Sequence, residues 1–281
     1  MPYADNAGAS LYWEERGEGT PLLLVMGHTH SSALWYASVD VLAQHHRVIT
    51  FDNRGTGKSS KMKKISVADM ARDAFAVLDA AGVESAHVYG VSMGGGIILE
   101  MARQQPERVR SLLLGCTLAK TPDLPGLPLL LRPLLLLPAP LLFKVLKKAT
   151  RPTVEHPYGT AAGAEAIARD EAMIAANPTD VRTSVVQSKA INAYSITADE
   201  VRALRMPALV LHGTEDVLVS YDSGVTLHGL IAHSEMVTFE GAGHNYFVAA
   251  GDAAHEAALD FLARVDAGTA PVAVGSARSA G

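Results

Sequence analysis

Two kinds of hydrophobic pattern alternate along the chain. A continuous apolar run at residues 22–26 predicts a strand that is buried on both faces of a sheet, and residues 48–51, Val-Ile-Thr-Phe, predict another buried strand. Between such runs, apolar residues recur at helical spacing. The clearest case begins at Ser66, has Asp69 at the capping-box position and runs to about residue 81. Strands that alternate with helices in this way predict an α/β fold, in which helices cover both faces of a mainly parallel sheet.

The same alternation predicts the other elements of the core. We expect an edge strand at 10–15, a helix at 32–43, strands at 87–89, 109–114, 207–212 and 235–239, and a last helix at 253–265. The core is therefore predicted to comprise residues 1–117 and 197–266, and a capping box that starts at Thr197 resumes it after an interruption. Residues 267–281 are rich in alanine, glycine and serine, and they predict a disordered tail because they can bury little apolar surface.

The interruption covers residues 118–196. Leucine and proline dominate residues 124–146, and two further helices are predicted at 165–176 and 179–190. We interpret the whole segment as a helical cap over the carboxyl ends of the strands; a peripheral helical decoration and a membrane-surface contact are the alternatives. Its longest uncharged run, residues 133–143, is too short to cross a bilayer, so we expect no integral membrane segment.

One serine stands at the junction of a predicted strand and a predicted helix. Residues 90–94 read Gly-Val-Ser-Met-Gly, with Ser92 at the centre of a Gly-x-Ser-x-Gly pattern. Such a turn lifts the hydroxyl clear of the sheet and directs the free N–H groups of the helix N-terminus toward the group that the hydroxyl attacks. Because a serine hydroxyl is a weak nucleophile near neutral pH, it needs a base and a third group that orients the base.

Both partners are available further along the chain. A predicted strand runs into Gly-Thr-Glu-Asp at residues 213–216, where either Glu215 or Asp216 could supply the acid. Gly-Ala-Gly-His at residues 241–244 follows the next predicted strand and places His244 beside flexible glycines. The order serine, acid, histidine is one of the known orders of a catalytic triad.

At these segments the chain resembles the α/β-hydrolase family, and the resemblance covers nearly all of it. The family's nucleophile elbow, Gly-x-x-Asp loop, Gly-x-Gly-His loop and Asp-x-Arg-Gly-x-Gly-x-Ser segment match residues 90–94, 213–216, 241–244 and 52–59. The resemblance implies an α/β-hydrolase fold with a mainly parallel eight-stranded sheet, flanking helices and a helical cap. It implies Ser92 as the nucleophile, His244 as the base and Asp216 rather than Glu215 as the acid.

The resemblance also implies an oxyanion hole made of two backbone N–H groups. One belongs to Met93, and the other to His28, where Met-Gly-His stands in place of the family's usual His-Gly-x. Trp35 and Tyr246 are candidate substrate-binding residues, and core packing is an equal alternative for Trp35. A serine at the elbow argues against the dehalogenase and epoxide-hydrolase branches, which use aspartate there.

Two other patterns look like ligand sites. Gly-Thr-Gly-Lys-Ser at residues 55–59 resembles the end of a phosphate-binding loop, but the full pattern needs glycine where Asp52 stands, and an aspartate repels phosphate. His28 and His30 lie two residues apart, with no third metal ligand evident from spacing. We therefore expect no cofactor and no metal. Cys116 and His212 are interpreted as structural residues.

Composition narrows the class of partner. The net charge of −5 and the lack of a lysine or arginine run argue against nucleic acid. One cysteine excludes an intramolecular disulfide, and the N-terminus lacks the basic and apolar regions of a signal peptide, so we expect a cytoplasmic protein. The sequence is compatible with a homodimer.

The expected activity follows from the triad and the cap. We expect hydrolysis of a carboxylic ester, lactone or thioester of a mainly apolar small molecule, because a leucine-rich cap gains affinity by burying apolar surface. Carbon–carbon bond hydrolysis, cofactor-free perhydrolysis, and a non-hydrolytic biosynthetic or receptor role remain alternatives on the same fold.

Overall fold

The computed structural model describes residues 2–117 and 157–271. The strands in these ranges are β1 (Tyr3–Asn6), β2 (Ala9–Arg16), β3 (Pro21–Val25), β4 (Arg47–Phe51), β5 (Ala86–Val91), β6 (Val109–Gly115), β7 (Ala208–Gly213) and β8 (Ser234–Phe239). The α-helices are α1 (Val39–Leu42), α2 (Val67–Ala80), α3 (Met93–Gln104), α4 (Ala164–Ala176), α5 (Val181–Ala193), α6 (Ala198–Arg202), α7 (Tyr221–Leu230), α8 (Tyr246–Ala249) and α9 (Asp252–Asp266). Short 3₁₀ helices cover Ser32–Trp35 and Pro106–Arg108.

The eight strands form one sheet in the order β1-β2-β4-β3-β5-β6-β7-β8. The pairs β1–β2 and β2–β4 are antiparallel, and every other neighbouring pair is parallel. The carboxyl ends of β3 to β8 therefore lie along one edge of the sheet. This mainly parallel, eight-stranded sheet with flanking helices confirms the predicted fold class.

Apolar side chains fill both faces of the sheet. On one face, α2 and α3 contribute fully buried residues such as Met70 and Ile97; on the other, α9 and the 3₁₀ helix contribute Phe261 and Trp35. Burial on both faces is the reason that the central strands read as continuous apolar runs rather than as alternating ones.

Two helix starts are confirmed in detail. Ser66 and Asp69 form a complete capping box at the start of α2, and Thr197 and Glu200 form another at the start of α6. In each box the hydroxyl accepts a backbone N–H that has no partner within the helix, and the carboxylate accepts the N–H of the capping residue.

The single helix predicted at residues 32–43 is wrong. A 3₁₀ helix ends at Trp35, and α1 begins only at Val39. Ser38 donates its N–H to the Trp35 carbonyl at 2.8 Å, and its buried hydroxyl lies 3.0 Å from His255 Nε2. The first contact closes a local turn between the two short helices, and the second comes from α9, a distant helix that apolar spacing does not reveal.

Part of the predicted cap lies within the described residues. Both α4 and α5 occur where helices were expected, and Thr183 of α5 donates its hydroxyl to the Gly55 carbonyl at 3.1 Å. Residues 118–156, which include the leucine-rich stretch, and residues 272–281 of the predicted tail lie outside the described residues. The domain boundaries stay predictions. In residues 2–117 and 157–271, no helix combines the length and apolar character that crossing a membrane requires.

Candidate active site

Ser92 occupies a sharp turn between β5 and α3. Its backbone has φ 55° and ψ −120°, a conformation that costs a non-glycine residue about 1–3 kcal/mol. A Cβ atom on Gly90 would lie 2.3 Å from the Gly94 carbonyl oxygen, and one on Gly94 would lie 2.1 Å from the Val25 carbonyl oxygen. The turn therefore requires glycine at both positions, and the donation of the Ser92 N–H to the Gly115 carbonyl at 2.9 Å anchors it to β6.

His244 and Asp216 form a hydrogen-bonded pair at the same edge. His244 follows β8, Asp216 follows β7, and both residues are buried. The Nδ1 atom of His244 lies 2.8 Å from Asp216 Oδ2. The other carboxylate oxygen accepts the N–H groups of Leu218 and Val219 at 2.8 and 2.9 Å. Asp216 is thus fixed as an acceptor that orients the imidazole.

The surroundings keep Asp216 ionised. Burial raises its pKa, but hydrogen bonds from His212 and His244 outweigh burial and hold the pKa well below its usual range. His212 is fully buried, and its Nε2 lies 3.2 Å from Asp216 Oδ2 and 2.9 Å from the Val219 carbonyl oxygen. Glu215, the other candidate acid, instead accepts hydrogen bonds from the N–H and hydroxyl of Thr160.

The protonation of His244 depends on its two neighbours. Burial lowers its pKa, whereas Cys116 and the hydrogen bond to Asp216 raise it, and the net pKa lies above its ordinary value. Because a carboxylate only accepts, Nδ1 of the neutral ring carries the hydrogen, and Nε2 is left as an acceptor. This is the tautomer that a general base requires.

Ser92 and His244 both lie at the carboxyl edge of the sheet. Among the hydrogen bonds of the described residues, none joins their side chains directly. His244 Nε2 faces the Sγ atom of Cys116 at 4.0 Å, and Cys116 follows the Gly115 carbonyl that binds Ser92. Catalytic hydrogen bonds are often long in unliganded enzymes and shorten when substrate binds. The arrangement is therefore compatible with proton transfer between the two residues.

Two backbone N–H groups are candidates for the predicted oxyanion hole. Met93 is the first residue of α3, so its N–H has no acceptor within the helix. A Cβ atom on Gly27, the residue before His28, would lie 3.9 Å from Ser92 Oγ, so the chain passes close to this hydroxyl one residue before His28. Across the described ranges, neither N–H donates to a protein acceptor. Both groups remain available to a ligand.

A comparison with known sequences settles the family. The sequence profile of the alpha/beta hydrolase fold matches residues 20–249. This chain is an alpha/beta hydrolase. It is 48% identical over 115 residues to a protein of Azorhizobium caulinodans named as carbamate hydrolase RutD, and that match covers 41% of this chain and 43% of the relative. The matched part of the chain thus spans less than half of that relative's length.

Two other relatives match over most of their length. The pimeloyl-[acyl-carrier protein] methyl ester esterase of Aliivibrio fischeri is 29% identical over 254 residues, which cover 86% of the alpha/beta hydrolase described here and 93% of the esterase. The crystal structure of an enol-lactonase from Burkholderia xenovorans LB400 superposes with a TM-score of 0.78 at 25% identity and covers 93% of this chain and 100% of the lactonase.

The two histidines considered as metal ligands in this hydrolase have different surroundings. The Nε2 of His28 lies 3.1 Å from the Ser184 carbonyl oxygen, an acceptor, so this nitrogen carries the hydrogen and is occupied. Burial, together with the nearby charges of His28 and His244, lowers the pKa of His30 to about 4. His30 is therefore neutral near physiological pH and lies within electrostatic reach of the base.

The predicted substrate-binding residues of this hydrolase lie in its core. Trp35 and Tyr246 have no exposed surface. Trp35 packs against Tyr89 and Phe247, with ring centroids 5.1 and 5.8 Å apart, and the Tyr246 hydroxyl lies 2.6 Å from the Tyr89 hydroxyl. Core packing accounts for both side chains, and their contact with substrate stays a prediction.

The segment at residues 52–59, which resembles the end of a phosphate-binding loop, forms hydrogen bonds to neighbouring loops. Asp52 accepts hydrogen bonds from the N–H and hydroxyl of Ser32 at 2.8 Å and from the Lys58 N–H at 2.8 Å. The side-chain amide of Asn53 donates to the carbonyl of Met26, the residue before Gly27, at 2.8 Å. The loop therefore fastens the segment that carries His28.

Proposed function

We propose that this alpha/beta hydrolase is a serine esterase that cleaves a carboxylic ester of a mainly apolar small molecule through an acyl-enzyme. The observation that carries the proposal is the convergence, at one sheet edge, of the strained Ser92 turn with the hydrogen-bonded His244–Asp216 pair. The N–H groups of Met93 and His28 are the proposed oxyanion donors. These are the parts that acyl transfer to water requires.

The first half of the reaction acylates Ser92. The hydroxyl attacks the ester carbonyl while His244 Nε2 accepts its proton, and Asp216 stabilises the imidazolium that forms. The carbonyl oxygen becomes an oxyanion, which the N–H groups of Met93 and His28 bind. When the tetrahedral intermediate collapses, the alcohol leaves with the proton from His244, and the acyl group stays on Ser92.

The second half of the reaction releases the acid. His244, neutral again, removes a proton from a water molecule that attacks the acyl-enzyme. The same two N–H groups bind the second oxyanion, and Ser92 recovers its proton from His244 as the acid departs. Every proton passes through one imidazole, so the chemistry needs no bound cofactor.

The relatives support a substrate with a carbonyl group bonded to a heteroatom. One is named as a methyl ester esterase, one as an enol-lactonase and one as a carbamate hydrolase. These names favour ester or lactone cleavage over carbon–carbon hydrolysis. The 48% identity over 115 residues makes a carbamate the second candidate, since a carbamate can pass through the same steps with a carbamoyl-enzyme. The homodimer and the cytoplasmic location stay predictions from the sequence.

Replacement of the nucleophile tests the proposal. We expect Ser92→Ala to lower kcat for a p-nitrophenyl butyrate substrate by roughly four orders of magnitude or more, because no other hydroxyl replaces the nucleophile. The melting temperature should stay the same, since alanine fits the same turn. Ser223→Ala, whose hydroxyl contacts Ser220 near the surface, is the matched control and should retain wild-type kcat. An unchanged rate in Ser92→Ala would remove the proposed nucleophile.

A further inference from the structure

The cap helix α5 binds the segment that carries one of the proposed oxyanion donors. We call residues 27–30 the oxyanion loop. The His28 ring reaches the Ser184 carbonyl and the Ser188 hydroxyl of α5 at 3.1 and 3.0 Å. The next residue, Thr29, donates its N–H to Gln187 Oε1 at 2.8 Å. The oxyanion loop is therefore attached to the cap on both sides of the His28–Thr29 peptide bond.

Thr29 has a backbone conformation that needs outside support. Its φ is +64°, in the left-handed region that β-branched residues rarely adopt. The cap holds both of its polar backbone atoms, since Gln187 accepts the N–H and the Thr179 hydroxyl donates to the carbonyl oxygen. Without these two bonds, the Thr29 backbone is free to relax toward negative φ. That rotation turns the His28–Thr29 peptide, and His28 shifts with it, so its N–H, which lies on the far side of the His28 Cα, changes position as well.

Gln187 has no alternative arrangement. The residue is fully buried, its Oε1 accepts from Thr29, and its Nε2 donates to the Arg54 carbonyl at 3.1 Å. An N–H can only donate and a carbonyl can only accept, so the amide satisfies both partners in one orientation. Gln187 therefore joins α5, the oxyanion loop and the loop that holds Arg54 at fixed distances.

We propose that Gln187, assisted by Thr179, is a positioning residue for acyl transfer. By holding Thr29 in the left-handed conformation, the two side chains aim the His28 N–H at the oxyanion. The inference rests on the proposed function, because it assigns the His28 N–H a task only in that reaction. The predicted cap then has two roles. It covers the substrate, and the packing of α5 against the core completes the oxyanion hole.

This role predicts a specific kinetic signature. The N–H binds the oxyanion only after attack, so a misdirected donor lowers kcat and leaves KM nearly unchanged. The affinity for a trifluoromethyl ketone, which forms a tetrahedral oxyanion with serine, should fall by the same factor as kcat. A merely structural contact would lower the melting temperature without moving kcat and ketone affinity together.

The experiment compares three variants with the wild-type chain. Gln187→Met keeps the side-chain length and removes both amide hydrogen bonds, and Thr179→Val removes the bond to the Thr29 carbonyl. Thr183→Val is the matched control on the same helix, because it removes a buried hydrogen bond to Gly55 and touches no residue of the oxyanion loop. The measurements are kcat and KM for p-nitrophenyl butyrate, the inhibition constant of a trifluoromethyl ketone, and the melting temperature.

We expect Gln187→Met to lower kcat and to weaken ketone binding by the same factor, about 10- to 100-fold, because full loss of one oxyanion donor costs about 100- to 1000-fold in kcat. The KM should change by about threefold at most. Thr179→Val should move both quantities in the same direction by a smaller factor. Thr183→Val should leave both near wild type. Wild-type kcat and ketone affinity in Gln187→Met and Thr179→Val would overturn the inference while leaving the esterase proposal intact. A wild-type chain with neither turnover nor ketone binding would overturn both.

Discussion

Cys116 lies beside the proposed base, although the proposed reaction gives it no role. It is 1% exposed, it follows β6, and its φ is 39°. Its Sγ lies 4.0 Å from His244 Nε2, the nitrogen that must accept a proton from Ser92. The interpretation of Cys116 as a packed residue agrees with its burial, but the sequence carries no signal that the thiol packs against the base.

Removal of the thiol should move the pH dependence of the enzyme. The base must be neutral to act, so kcat/KM should rise with pH through the pKa of His244. Because Cys116 raises that pKa, Cys116→Ala should shift the acidic limb of the profile to lower pH. The measurement is kcat/KM for a p-nitrophenyl ester across the pH range, with the melting temperature taken at each pH. An acidic limb that stays in place, or moves to higher pH, would contradict this effect of Cys116.

The residues proposed for catalysis are those that local patterns can indicate. Gly-x-Ser-x-Gly, Gly-x-x-Asp and Gly-x-Gly-His each place a polar side chain after a strand, and parallel strands bring such ends to one edge. Gln187 and His30 have no comparable pattern. Gln187 lies on α5, and the position of α5 depends on packing between segments that are distant in sequence. Its hydrogen bonds to Thr29 and Arg54 therefore cannot be deduced from spacing.

At the scale of elements, α4 is fastened to the loop that carries the base. Asp170 of α4 is 1% exposed, and its Oδ2 accepts hydrogen bonds from the Tyr158 hydroxyl at 3.0 Å and from Asn245 Nδ2 at 3.1 Å. Among the described residues, the other oxygen, Oδ1, is buried with no hydrogen-bond partner, and Tyr36 is near enough to the carboxyl to lower its pKa. Burial raises the pKa of Asp170 more than these hydrogen bonds lower it. One helix of the predicted cap thus contacts the residue next to His244, as α5 contacts the oxyanion loop.

Substitution of Asp170 separates its hydrogen bonds from its charge. Asp170→Ala should lower the free energy of unfolding at neutral pH by about 1–3 kcal/mol, because buried donors lose their acceptor. Asp170→Asn keeps an acceptor oxygen and removes the charge, so it should be at least as stable as wild type. Because the pKa of Asp170 is higher in the folded than in the unfolded protein, the protonated carboxyl stabilises the wild type. This contribution is fully present below the unfolded pKa, and it is lost as the pH rises through the folded pKa. Urea unfolding at neutral and acidic pH should therefore show the asparagine variant losing its advantage in acid; an asparagine variant as unstable as the alanine variant would contradict this account.

The elements that the sequence did not predict lack a clear apolar period, either because they are short or because their residues are mixed. β1 is a four-residue edge strand with two exposed residues, and α8 is a four-residue helix directly after the base loop. Neither is long enough to show a period. α7 carries both glycine and polar residues, and its burial comes from tertiary contacts beside β7 rather than from a strong apolar face. Long elements with caps, such as α2, were predictable because local hydrogen bonds fix their ends.

At the scale of the whole molecule, a buried ion pair joins the edge of the sheet to a helix. Arg54, whose carbonyl binds Gln187, pairs through its side chain with Asp73 of α2, and one of these bonds measures 2.6 Å. The exposed fractions of the two side chains are 4% and 1%. Asn6 of β1 adds a hydrogen bond to Asp73 Oδ1 at 2.7 Å. The pair fastens the first strand, α2 and the carboxyl edge to one another.

Breaking this pair should destabilise the fold as a whole. Arg54→Met leaves the Asp73 carboxylate buried without its counter-ion, so we expect a loss of about 3–5 kcal/mol in the free energy of unfolding. Arg202→Met is the control, because its pair with Asp199 is exposed and should contribute less than about 1 kcal/mol. Urea denaturation at neutral pH provides both values. Equal losses in the two variants would contradict the importance of the buried pair.

The mainly parallel eight-stranded sheet could be expected from the family resemblance once four motifs had appeared in order, but the strand order was not predicted. The alternation of strands and helices alone indicates a parallel sheet without fixing which strands are neighbours. The contacts between the cap and the core depend on the docking of α4 and α5 onto loops that lie far away in sequence, and the leucine-rich segment of the cap lies outside the described residues.

Ser92, activated by His244, is proposed to form a covalent acyl-enzyme. This step can be tested by labelling with a fluorophosphonate, followed by mass spectrometry of the digested protein. We expect stoichiometric modification of the peptide that contains Ser92, and no modification in His244→Ala over the same time. Modification of another residue, or equal labelling of Ser92 in His244→Ala, would contradict it.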